Sequence, residues 1–238
     1  MIPLKDDTPR LTTPYVTYFL IALNTAVFVF ELILDQASRT GLIFQFGLVP
    51  ARVTGLLHGA PGVTAVAALL PILTSMFLHA SWLHLIANMW VLWIFGDNIE
   101  DYLGHFRYLI FYFGTGLAAS LLHIAFNSGA EIPSVGASGA IAGVMGAYFL
   151  LYPSARVLTL IPFFIIYFTW LPAWLVLGYW FVAQFLSGAA TSIVSPRDTS
   201  QGGVAFWAHV GGFLAGLALI KLFPAQPRRY RYTDWPAR

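Results

Sequence analysis

The sequence predicts an all-α membrane protein, a bundle of six transmembrane helices with both termini in the cytoplasm. Three observations carry that expectation. Of 238 residues only 12 are Lys or Arg and 10 are Asp or Glu, so 9% are charged, against about 25% in an ordinary soluble domain. The hydrophobic fraction is 58% and the aromatic fraction 16%, with a mean hydropathy of +0.75. The few charges are also spaced so that long charge-free intervals remain between them. A soluble chain of this size has too much surface to cover with so few charges. The composition excludes a cytosolic enzyme, a disordered chain and a basic nucleic-acid binder. The absence of cysteine excludes disulfides, thiolate metal sites and a cysteine nucleophile, and leaves the redox compartment open.

The charge-free intervals are 11–30, 53–96, 108–130, 132–155, 157–196 and 199–220. A helix needs about 20 mainly apolar residues to cross the hydrocarbon core, so two of these intervals are long enough for two spans each. Proline reduces the count. Pro61 and Pro71 isolate a piece of the second interval too short to cross, and Pro162 and Pro172 do the same in the fifth. The expected spans are 14–34, 73–95, 106–127, 137–152, 171–188 and 205–223, which form one unit over 14–223. Residues 1–13 and 224–238 are expected as cytoplasmic tails, the second one basic. The first apolar stretch is longer than a signal-peptide core, and Lys5 and Arg10 are mixed with Asp6 and Asp7, so no cleaved signal is expected. Glu31, near the end of span 1, is expected at the interface or against a neighbouring helix.

Basic residues set the orientation. With six spans, one side holds Lys5, Arg10, Arg107, Arg156, Lys221, Arg228, Arg229, Arg231 and Arg238, and the other holds Arg39, Arg52 and Arg197. The positive-inside rule places the first group in the cytoplasm. The Arg228–Arg231 cluster reads as an orientation signal, with an anionic-lipid site as its alternative.

The chemistry lies in polar residues within the spans, which are costly there and by default face a cavity or a partner. Span 2 carries His79, His84 and Asn88, span 4 opens with Gly136-Ala137-Ser138-Gly139, and span 6 carries His209 in Ala208-His-Val-Gly-Gly212. All three spans run from outside to inside, and at 1.5 Å per residue these groups fall within roughly the outer 10–20 Å. His84 and Asn88, four apart, share a helical face. Gly139, Gly143 and Ala147 form one stripe of small residues, and Ala208, Gly212 and Gly216 another. Such stripes let helices approach closely, which would bring Ser138 to His209, although stripes also serve packing alone.

At these residues the sequence resembles the rhomboid family of intramembrane serine proteases. The resemblance rests on Gly136-Ala-Ser138-Gly139, His84-Leu-Ile-Ala-Asn88 and Ala208-His209-Val-Gly-Gly in the right order on spans 4, 2 and 6, with Gly96 and Glu100 after span 2. It implies a Ser138 nucleophile activated by His209 without an acidic third member. Asn88 and His84 would support the oxyanion beside the Gly136–Gly139 turn, with no cofactor and no metal. It also implies membrane-protein substrates cleaved in or near their transmembrane segments, and a gate formed by span 5 with a cap at Ser187–Gly203. Apolar loop 1, residues 35–72, would lie partly in the outer interface. A prokaryotic cytoplasmic membrane, with the active site toward its outer face, is the expected location.

Two positions depart from the family pattern. Ala142 stands where members often carry an aromatic residue beneath the catalytic histidine. Many members also carry a Trp-Arg pair in loop 1, whereas no tryptophan precedes Trp82 here, which leaves a related role for Arg52 open. Of the other histidines, His58 is expected in a loop, and His105 and His123 at interfaces. His79 is expected to brace loop 1 against span 2. A zinc site from His79, His84 and His209 is conceivable, but no H-E-x-x-H motif occurs. The readings weighed against the protease are a non-catalytic rhomboid-like protein that binds membrane clients, and a small transporter. The chain keeps both Ser138 and His209 against the first, and shows no inverted repeat to favour the second.

Overall fold

In a computed structural model the described residues are 1–162, 166–194 and 205–226. Nine α-helices and three strands form among them. Helix α1 (Tyr15–Ile33) occupies the first expected span. Loop 1 is largely helical: α2 (Gln36–Phe46), α3 (Pro50–Leu57) and α4 (Ala65–Thr74) precede a 3-10 turn at Ser75–Phe77. Local signals explain these starts. Asp35 caps α2 by accepting from the Ser38 N–H at 2.9 Å, Pro50 stands in the first turn of α3, and Thr64 caps α4 by accepting from Ala67.

Span 2 differs from expectation. Helix α5 covers Trp82–Leu103, not 73–95, and meets the α4 segment at a 75° bend. Pro71 lies inside α4, and the chain breaks instead at 78–81. Ser81 restarts the helix by accepting from the His84 N–H at 3.2 Å. The charged stretch Asp97–Asp101 ended the span in the sequence reading, yet it is helical because its carboxylates have partners. Glu100 accepts from the Val16 and Thr17 N–H groups at 2.9 and 2.8 Å, which caps the start of α1, and it pairs with His105 at 2.5 Å. Asp101 accepts from Leu11 and Thr12. Gly96 marks a close crossing of α5 with α1 and with the segment around Tyr108, since a Cβ there would lie 2.9 Å from the Tyr108 hydroxyl and 3.1 Å from Thr17.

Helix α6 (His105–Phe126) follows after a single residue, Gly104, whose φ of +77° is left-handed backbone that suits glycine. Helix α7 (Ser138–Leu151) is central, with every residue from Gly139 to Tyr148 buried. Between α7 and the next helix the chain forms paired strands, where an isolated apolar piece was expected between Pro162 and Pro172. Strands β2 (Arg156–Pro162) and β3 (Ile166–Pro172) pair antiparallel. The expected N-terminal tail adds β1 (Ile2–Asp6) to β2, giving the order β1-β2-β3. Helix α8 (Ala173–Val194) runs past the expected end of span 5 and absorbs the first part of the expected cap. The remainder of that cap, 195–203, lies outside the described residues, as do Arg197 and the basic tail from 227 onward. Helix α9 (Phe206–Leu219) closes the bundle.

Among the described residues, α1, α6 and α8 are long and apolar enough to cross a membrane, or four spans if α4 and α5 count as one bent span. Helices α7 and α9 are apolar and 14 residues each. The outward faces carry exposed Phe19, Phe30, Trp90, Leu121 and Phe185, as a lipid-facing surface requires, while Phe95, Tyr108, Phe111, Tyr112 and Tyr148 fill the core. The protein is a mainly helical membrane bundle.

Candidate active site

Ser138 is the first residue of α7. The turn before it depends on Gly136, whose φ is +129° and whose N–H donates to the Ser75 carbonyl at 2.8 Å. A second tie, the Leu48–Ser134 bridge, joins this turn to loop 1. As the first helical residue, Ser138 lies among backbone N–H groups without intrahelical partners.

His209 lies in the first turn of α9 and is buried. Its Nε2 is 2.7 Å from Ser138 Oγ. Glycine makes this approach possible. A Cβ on Gly212 would stand 1.9 Å from the Gly139 carbonyl oxygen, and one on Gly216 would stand 2.0 Å from that of Gly143. The two expected stripes therefore do not simply face one another. The α9 glycines rest on α7 carbonyls, whereas Cβ atoms on Gly139 and Gly143 would point into Ala119 and Thr115 of α6.

His84 and Asn88 come from the first two turns of α5. The His84 ring lies against Gly136, with its Cε1 and Nε2 each 2.7 Å from where a Cβ would be, and Asn88 Nδ2 is 3.7 Å from the same point. Asn88 is buried and its amide nitrogen has no hydrogen-bond partner among the described residues. Thus Ser138, His209, His84, Asn88, Gly136 and Gly139 converge on one turn. A cavity of about 30 Å³ below it is lined by Ser75, Ser120, His123, Ser134 and Ser138. That volume admits a water molecule by the usual measure.

Several residues differ from their sequence assignment. His123, expected at an interface, lines this cavity. His209 is also contacted by two residues that the sequence pattern does not single out, both on α8. His209 Nδ1 lies 2.7 Å from Gln184 Oε1, and the Trp180 ring packs 5.6 Å from the imidazole. The available signal was a strongly polar Gln inside an apolar span. Ala142 is buried, with its Cβ 3.2 Å from the Cβ position of Gly212, so α9 packs closely on this position.

His79 is buried at the break before α5, where its N–H donates to Glu31 at 3.0 Å and its ring stacks edge-on to His84. Glu31 thus faces a neighbouring segment, not the interface. Arg39 completes the brace through the His79 and Ala80 carbonyls. Arg52 of α3 donates to the Phe44 carbonyl and so ties the end of α2. His58 bonds within its own helix end. Among the described residues no three His, Asp or Glu side chains gather as a metal site would need.

Known proteins resemble the chain. A family model of the rhomboid domain matches residues 67–226. Rhomboid protein 1, mitochondrial, of Saccharomyces cerevisiae is 35% identical over 97 residues, 39% of this chain and 28% of that protein. The human presenilin-associated rhomboid-like protein, mitochondrial, is 31% identical over 156 residues, 62% of this chain and 36% of that protein. Rhomboid protease GluP of Bacillus subtilis is 33% identical over 139 residues, 58% of this chain and 24% of that protein. The matched stretches span little more than a third of these relatives at most. Mitochondrial and bacterial proteins both appear among them, so a prokaryotic membrane is not singled out. With its rhomboid-domain match covering more than half of its length, the chain belongs to the rhomboid family.

Proposed function

We propose that the protein is an intramembrane serine endopeptidase that hydrolyses peptide bonds in or near the transmembrane segments of other membrane proteins. The observation that carries this reading is the 2.7 Å contact between His209 Nε2 and Ser138 Oγ. A serine hydroxyl is a weak nucleophile until a base within hydrogen-bond reach takes its proton. His209 removes the Ser138 proton as Oγ attacks the carbonyl, then returns it to the leaving amine. Water next attacks the acyl-enzyme with His209 again as base, which regenerates the Ser138 hydroxyl. In both halves the carbonyl oxygen becomes an anion beside the N–H groups at the start of α7 that have no intrahelical partners. Asn88 Nδ2 and His84 add side-chain donors there. One well-aimed donor of this kind typically contributes about 3–4 kcal/mol at the transition state.

The same reading places six spans in the bilayer, α7 and α9 among them, with both termini cytoplasmic by the positive-inside rule. The catalytic turn then lies toward the outer face, and the 14–223 unit carries the activity. Substrates are single-span or other membrane proteins whose small residues loosen the helix near the cleavage point. The membrane-client reading without catalysis is disfavoured by the intact Ser138–His209 pair.

The test uses purified protein, a model single-span substrate and a serine-directed fluorophosphonate probe. Cleavage and Ser138 labelling by the wild type, both lost in Ser138→Ala and cleavage lost in His209→Ala, is the expected result. Undiminished cleavage by either variant refutes the Ser–His mechanism.

A further inference from the structure

We infer that Gln184 is a positioning residue for His209, acting with Trp180, so that α8 sets the tautomer and plane of the catalytic imidazole. The inference rests on the Ser138–His209 reading above and goes beyond it, because that reading left the histidine without an orienting partner.

The two ring nitrogens of His209 have different neighbours. Nε2 faces Ser138 Oγ and Nδ1 faces Gln184 Oε1, each at 2.7 Å. An amide oxygen has no proton to give, so this contact is a hydrogen bond only when Nδ1 carries the proton. The neutral ring then has its lone pair on Nε2, directed at the serine hydroxyl, as a general base requires. In the other tautomer a lone pair on Nδ1 would meet the amide oxygen while Nε2–H pointed at Oγ, and the base would be disabled. Once His209 has taken the serine proton, the Nδ1–H bond becomes charge-assisted and strengthens. Gln184 therefore favours the charged state that follows attack, without the cost of a buried carboxylate.

Trp180 stands one turn before Gln184, so both present to the same side of α8. Its ring packs on the imidazole at 5.6 Å with a 37° tilt and also contacts Phe213 of α9. Ala142 cannot supply such a surface from α7, and Trp180 supplies one from α8. Among the described residues the titratable groups acting on His209 are two further histidines, His84 from α5 and His123 from α6.

The experiment compares wild type with Gln184→Met and Gln184→Glu in detergent or nanodiscs. It measures kcat and KM on the single-span substrate, the pH profile, thermal unfolding, and the tautomer of 15N-labelled His209 by NMR. Gln184→Met keeps the chain length and removes the amide oxygen. It is expected to lower kcat on the order of 10- to 100-fold with KM and unfolding temperature unchanged. The His209 signal should move from the Nδ1–H form to a mixture. Gln184→Glu restores an acceptor and should recover kcat, while the added charge moves the acid limb of the profile to higher pH. Wild-type kcat together with an unmoved Nδ1–H signal in Gln184→Met overturns the inference. Absence of cleavage and of Ser138 labelling in the wild type would instead defeat the protease reading, and the tautomer measurement would still judge Gln184.

Discussion

Two of the contacts that helix α9 makes differ in kind, and both end at His209. Against α7 it is sealed by backbone: Gly212 and Gly216 lie directly on the carbonyls of Gly139 and Gly143, and a Cβ on Gly146 would stand 2.2 Å from the Phe213 carbonyl. Against α8 the contact is made by side chains, with Gln184 and Trp180 on the ring and Phe181 stacked on Phe213 at 4.7 Å. The first contact sets the distance between the helices that carry Ser138 and His209. The second sets how His209 is turned. Backbone packing has almost no slack, because any added atom must displace a helix, whereas a side-chain contact can be made and lost by a modest shift.

The most severe way to break this arrangement is Gly212→Val. Its Cβ would fall 1.9 Å from the Gly139 oxygen, so α9 must move away from α7 and carry His209 from Ser138. The expected cost is at or above the upper end of the about 1–3 kcal/mol usual for overpacking, with Ser138 labelling abolished. Thermal unfolding and fluorophosphonate labelling measure both. A variant that unfolds and labels like wild type would show that the helices do not meet as described.

Ala142→Phe is the milder counterpart. It restores an aromatic residue on α7, but into a buried position bounded by Gly212. With Trp180 already packed on the imidazole, the added ring is redundant and overpacks the interface. A loss of about 1–3 kcal/mol with reduced cleavage is expected. Improved cleavage at unchanged stability would instead mean that α7 can serve as the platform and that α8 is dispensable.

This division also explains what the sequence could reveal. The polar and glycine residues of α7 and α9 were legible because in an apolar chain they have few roles other than close approach and chemistry. The starts of these helices were expected at 137 and 205 and lie at Ser138 and Phe206. Helix α5 was misplaced by nine residues at its start and eight at its end. In a local pattern charge marks the end of a span, while Glu100 and Asp101 are satisfied by the N-terminal segment eighty to ninety residues away. The β2–β3 pair was hidden by its prolines, which were read as helix breaks although they bound strands equally well. Gln184 was passed over because it carries no charge. Its meaning depends on a contact with α9 that no local pattern encodes.

The smallest expected effect concerns the far end of α7, away from Ser138. There Tyr148 donates to Asp6 of β1 at 2.6 Å, which fastens the helix to the sheet. Burial is the dominant influence on the Asp6 carboxyl and, outweighing its hydrogen bonds to Tyr148 and Thr8, raises its pKa above the ordinary value. A carboxyl whose pKa is higher folded than unfolded holds its proton more tightly in the folded state. Its contribution to stability is fully present below the unfolded pKa and is lost as pH rises through the folded one. Asp6→Asn removes that titration and keeps an acceptor for Tyr148. Thermal unfolding across mildly acidic to neutral pH should show variant and wild type diverging as pH rises, with the variant the more stable at neutral pH. Cleavage should not change, because the strap lies at the opposite end of α7 from the Ser138–His209 pair. Divergence in the opposite sense would mean that the Asp6 charge, not its burial, secures this end of α7. The sheet would then be as firmly fixed to α7 as the glycine-sealed face of α9.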